Sequence, residues 1–140
     1  MKQLTFDEAM CFAYGSTMLT GGSSIGIMDN REYYVPKYGY VVGGIVPEKS
    51  CDMDNESAFK HTYNRLFYQA ELALERELAM VIGTWVEDGK IVFDLCNVID
   101  DMKSALKLAK KRGERAIYDL ENQREIFVKH NAWTKQSTPS

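Results

Sequence analysis

The chain is poor in the residues that most often announce a site. Its 140 residues include only two histidines, His61 and His130, and three cysteines, Cys11, Cys51 and Cys96. Neither histidine has a cysteine or carboxylate companion at metal-ligand spacing, so the common zinc patterns are excluded. The cysteines are odd in number and lack paired spacing. Reduced thiols in a cytosolic protein are expected, not a disulfide framework. No apolar run approaches the roughly 18 residues that a membrane-spanning helix needs. The opening MKQLTFDEAM carries early acids and no long apolar stretch, unlike a secretory signal. A net charge of −3 argues against general nucleic-acid binding, which is driven by phosphate neutralisation. A small anion needs only a local basic pocket and stays compatible with that charge.

Familiar catalytic patterns are missing too. GTWVEDGK superficially resembles a phosphate loop, but Gly83 and Gly89 are too far apart, and Ile91 follows Lys90 where a Ser or Thr is required. No Ser or Cys sits in a nucleophile elbow. Asp94 and Asp100 could form an acid pair, of a kind that also arises by chance in any acidic chain. The expectation is a protein without enzymatic activity, metal or cofactor.

What is present is an ordered series of elements. Thr5-Phe6-Asp7-Glu8 fits a capping box, followed by a short helix over 6–14 with Gly15 as its cap. The Gly/Ser/Thr-rich stretch 15–24 reads as a loop. Residues 24–28, 31–35 and 38–46 are strand-like, with turn chemistry at Asp29-Asn30. Gly39, Gly43 and Gly44 mark either strand twist or a close approach to the backbone. Residues 47–55 read as an acidic loop. A long helix is predicted over 56–79, where Phe59, Tyr63, Leu66, Phe67, Ala70, Leu74 and Leu78 recur at helical spacing. Leu72 and Phe67 fall off the main stripe, which predicts packing against a second copy in a homodimer or higher homo-oligomer. Runs 80–86 and 90–96 flank Asp88-Gly89 as a hairpin. Asp100 and Asp101 open a further helix that ends at Gly113, and a strand pair over 116–119 and 125–129 follows. Antiparallel strands with helices grouped on one side make an α+β domain. One domain is expected over 1–130, with a flexible tail over 131–140 that Trp133 could anchor.

Two clusters could carry a ligand. Lys103, Lys107, Lys110, Lys111, Arg112 and Arg115 gather around Gly113. They fit either a solvated helix end that complements the macrodipole or a site for an anion. Trp85, Phe93 and Tyr118 lie on neighbouring strands beside Asn97. They fit either core packing or a base-stacking platform.

Residues 82–126, IGTWVEDGKIVFDLCNVIDDMKSALKLAKKRGERAIYDLENQREI, resemble a module of small phage and prophage proteins. The shared features are a Gly-x-Trp strand, a short hairpin, an aspartate-containing strand and an Ala/Leu-rich helix with a basic end. LTFDEAMCFA and YGYVVGG extend the resemblance. Among proteins of this layout the chain is similar to the Thoeris anti-defence sponges. That resemblance implies a non-catalytic counter-defence protein, cytoplasmic in an infected bacterium, which sequesters a cyclic ADP-ribose-type nucleotide. Trp85 would stack on the base, Asn97 would contact it, and Arg112 and Arg115 would hold the phosphates. The alternative is an inhibitor of a host defence protein, acting through the acidic helix face 71–77 and the 48–56 segment. An accessory virion protein is a third reading.

Overall fold

Thr5 starts the first helix as the sequence predicts. Its hydroxyl accepts from Glu8 N at 3.1 Å, and the Glu8 carboxylate accepts from Thr5 N at 2.9 Å. The structure, a computed structural model, describes residues 3–28, 32–73 and 78–129. Helix α1 spans Phe6–Thr20 and so runs past the expected end at 14. Gly15 lies inside it, and Gly21 caps it in the left-handed region, φ 92°. Within it the hydroxyls of small polar residues are satisfied by bonding back to the carbonyl four residues earlier. Thr17 Oγ1 donates to Ala13 O at 2.6 Å, and Thr20 Oγ1 to Ser16 O at 2.7 Å. Thr17 Oγ1 also lies 2.6 Å from Thr84 Oγ1, a tertiary contact that no local pattern encodes.

The strands are β1 Gly22–Ile27, β2 Tyr33–Tyr34, β3 Tyr40–Val42, β4 Lys49–Asp52, β5 Met80–Glu87, β6 Lys90–Ile99, β7 Ala116–Asp119 and β8 Arg124–Phe127. They form one antiparallel sheet in the order β2-β1-β5-β6-β3-β7-β8, with β4 also paired to β6. Helix α2 is Glu56–Leu72 and α3 is Met102–Arg112. With these three helices the fold is α+β. Asp88 and Gly89 both have positive φ, which gives the tight turn the sequence predicts between β5 and β6.

Three expectations need correction. The acidic segment 47–55 contains β4. The run 38–46 is not one strand, because β3 stops at Val42. Helix α2 ends at Leu72, short of 79. Ala79 lies just ahead of β5 instead, its carbonyl accepting from Val98 N at 2.8 Å. The Asp29-Asn30 turn, the acidic positions 75–77, His130 and the tail fall outside the described residues.

Register fixes which side chains share a face, since neighbours alternate along a strand. Ile82, Thr84, Phe93, Leu95 and Asn97 point to one side, together with Val42 and Tyr40 on β3. All three helices pack there. Ala9, Phe59, Tyr63 and Leu66 close one core over Ile82, Phe93 and Leu95. Ala105 and Ala109 of α3 close a second over Val42 and Ile117. The other side holds Val41, Cys96, Leu120, Val98 and Tyr118, a cluster with no helical member. Phe67 packs on Phe6 and Tyr33 within the chain, with ring centroids 5.5 and 5.3 Å apart, so it needs no second copy. Leu72 stays 67% exposed and Tyr68 62%.

Candidate functional site

The sheet has a break, and the break makes a cleft. Strands β3 and β4 both pair with the same side of β6: Val42 opposes Asn97, and Lys49 opposes Phe93. Residues 43–48 therefore span the stretch that β6 covers with 94–96 alone. The surplus chain bulges away from the sheet. Gly44 makes the turn with φ +93°, a conformation that side chains disfavour. Gly43 is required for space: a methyl there would overlap the Asp94 carboxylate and come within 2.9 Å of Glu114 Oε1. Two carboxylates thus close on one point beside the bulge.

The end of α3 supplies more of the lining. Gly113 is left-handed, φ 75°. Its N–H bonds to Lys110 O at 3.2 Å, while Glu114 N reaches Ala109 O at 2.9 Å. This is a Schellman ending, and it folds Glu114 back under the helix. Arg112, the last helical residue, then points inward. Its Nη1 donates to Val42 O at 3.3 Å and Gly43 O at 3.1 Å, and its Nη2 donates to Asn97 Oδ1 at 2.7 Å. The guanidinium splints the end of β3 to β6 where the ladder stops.

The resulting cleft has a volume of about 340 Å³. It is lined by Gly44, Ile45, Val46, Pro47, Glu48, Asp94, Arg112 and Glu114. Asp94 is only 5% exposed, and its Oδ1 has no hydrogen-bond partner. Burial, then the neighbouring Glu114 and Glu48 carboxylates, push its pKa up to about 7, against a weaker opposing pull from the Gly44 N–H. Burial, with Glu48, also raises the pKa of Glu114, and Arg112 opposes the shift. Three carboxylates face one guanidinium that is already hydrogen-bonded to the backbone. Such a cleft attracts a cation and resists an anion. Among the described residues no group of three or more His, Cys, Asp or Glu is arranged to hold a metal ion.

The four residues singled out in the sequence do not line one pocket. Arg112 and Asn97 do meet, but Asn97 is fully buried and engaged with Arg112 and with Ala79 O. Trp85 opposes Val92 and lies on the helix-free face, whereas Asn97 points to the helix side. Arg115 is exposed beyond the cap, its carbonyl accepting from Val128 N. Phe93 is fully buried core. Sequence reasoning missed Glu114, held Glu48 only as part of the acidic 48–56 segment, and treated Asp94 only as a chance companion of Asp100. One signal was available: Asp94 interrupts the apolar strand IVFDLC, and a carboxylate there is seldom left without a role.

Comparison with protein-family profiles, with curated proteins and with solved structures found no match to this chain. Among the described residues no helix is long and apolar enough to cross a membrane.

Proposed function

We propose that the protein works by binding, without turnover, and that its acidic side engages a basic surface of a partner protein. The observation that carries this reading is the sign of the cleft. Asp94, Glu48 and Glu114 line it, while Arg112, the one cation among its described lining residues, is tied to Val42, Gly43 and Asn97. Exposed acids continue from Glu48 along the chain at Asp52, Asp54 and Glu56. A protein that acts on nucleic acid keeps a basic face for phosphates, and an acidic protein can occupy that face. This is the protein-directed alternative drawn from the phage resemblance: an inhibitor of a host defence factor. A nucleotide sponge would need accessible cations around a cavity. The exposed cations of the cluster, Lys103, Lys107, Lys110, Lys111 and Arg115, do not line this cleft.

The test is calorimetric titration with an arginine-rich peptide and, in parallel, with a cyclic ADP-ribose isomer. The expected result is saturable peptide binding that weakens with salt and no heat from the nucleotide. Nucleotide binding without peptide binding would put the sponge ahead.

A further inference from the structure

The acidic cleft has a second property besides its sign: part of its lining is apolar. Ile45, Val46 and Pro47 line it together with the carboxylates, and Ile45 and Val46 are themselves anchored against the main core. A hydrated metal ion gains nothing from apolar lining. A cation at the end of a hydrocarbon stem gains from both kinds of lining. Asp94 supplies the independent sign that a ligand group belongs here. It is 95% removed from solvent, it lines the cleft, and its Oδ1 has no partner, although a buried carboxylate oxygen is costly to leave unmet.

We infer that this cleft receives the guanidinium group of an arginine side chain from the partner protein, with the arginine stem lying along Ile45, Val46 and Pro47. The inference rests on the proposed binding role and names its contact. A guanidinium suits the site better than an ammonium for two reasons. Its planar fork can meet the Asp94 and Glu114 carboxylates together. It is also more weakly hydrated, so burying it beside apolar carbon costs less.

The same geometry couples binding to a proton. The groups acting on Asp94 are Glu114 from the α3–β7 connection, Glu48 from the end of the bulge, the Gly44 N–H and Cys96 on its own strand, and Arg112 from α3 lines the same cleft. Carboxyl groups this close do not all ionise together below neutral pH. An arriving guanidinium favours the ionised Asp94 carboxylate, whose proton leaves to solvent. Affinity therefore rises with pH by up to about tenfold per unit below the Asp94 midpoint near 7, and levels off above it.

The experiment uses capped arginine (N-acetyl-arginine N-methylamide) as probe. Amide shifts of residues 43–48 and 114 are followed by NMR at acidic and mildly alkaline pH, with capped lysine as control. Expected are saturable shifts at these amides, arginine favoured over lysine, and tighter binding at the higher pH. Asp94→Asn weakens binding about tenfold and flattens the pH response. Glu114→Gln also weakens it, and thermal unfolding of both variants checks that they are folded. No saturable shift, equal binding of lysine, or an unchanged response in both variants overturns the inference. If the arginine-rich peptide still binds while capped arginine does not, the acidic-surface reading survives and only the cleft assignment falls. If neither binds, both fall.

Discussion

Arg112 and Asn97, fifteen residues apart in the chain, meet through a 2.7 Å hydrogen bond from Nη2 to Oδ1. The same guanidinium holds the carbonyls of Val42 and Gly43. Arg112 therefore acts as a structural clamp at the point where β3 leaves β6, and this fixes what its removal should do.

Arg112→Ala removes three charge-assisted hydrogen bonds at a break in the sheet. A loss of about 2–4 kcal/mol is expected, since hydrogen bonds to charged groups contribute about 1.5–3 kcal/mol and part of the loss is recovered by solvent. Arg115→Ala, at an exposed position, should change stability by less than about 0.5 kcal/mol. Urea denaturation of the two single variants decides. Equal effects would contradict the clamp.

Asp94 makes stability depend on pH with a definite sign. Its carboxyl titrates at 3.8 when unperturbed and at about 7 in the folded chain. Between those values the folded state holds more protons than the unfolded state, so stability falls as pH rises. The penalty is absent below the lower value and complete above the upper one. About three pH units correspond to a magnitude on the order of 4 kcal/mol. Asp94→Asn removes the titration. The variant should melt higher than wild type at pH 8 and lose that advantage at pH 4, as thermal scans at the two pH values would show. An advantage that is the same at both would show that charge is not the cause.

Gly43 and Asp94 should be energetically coupled. A methyl at 43 overlaps the Asp94 carboxylate and crowds Glu114. Gly43→Ala should cost about 1–3 kcal/mol, the usual range for overpacking. In an Asp94→Ala background the added methyl finds room, and most of that cost should vanish. A double-mutant cycle by chemical denaturation measures the difference. Strict additivity would mean the two side chains do not compete for space.

Asp119 organises the last hairpin. Its Oδ1 accepts from Glu121 N at 3.1 Å and Asn122 N at 3.2 Å, and its Oδ2 accepts from Asn122 Nδ2 at 2.8 Å. Asp119→Ala should speed hydrogen exchange at the amides of β7 and β8 and leave β5 and β6 protected. Unchanged exchange in β7 and β8 would show that the turn holds without the carboxylate.

Sequence by itself determined the parts that depend on neighbours in the chain. The Thr5–Glu8 box, the Asp88-Gly89 hairpin and the Gly113 helix end are where they were expected, because each is a bond or a backbone angle set within a few residues. The apolar stripe Phe59–Tyr63–Leu66–Ala70 faces the core for the same reason. The α+β class followed from the order of these elements. What the chain order could not determine was the site. Asp94, Glu48 and Glu114 are separated in sequence and become neighbours only because β3 and β4 share one edge of β6, with the surplus residues bulging between them. Arg112 looks like a helix-end charge in the sequence and is a clamp in the fold, since its acceptors Val42 O and Gly43 O lie about 70 residues away. The longer α1 has a related feature: its Thr17 hydroxyl meets Thr84 on the face of the sheet below it. Local pattern reports backbone preference, whereas charge convergence and burial depend on long-range pairing, which strand register alone supplies.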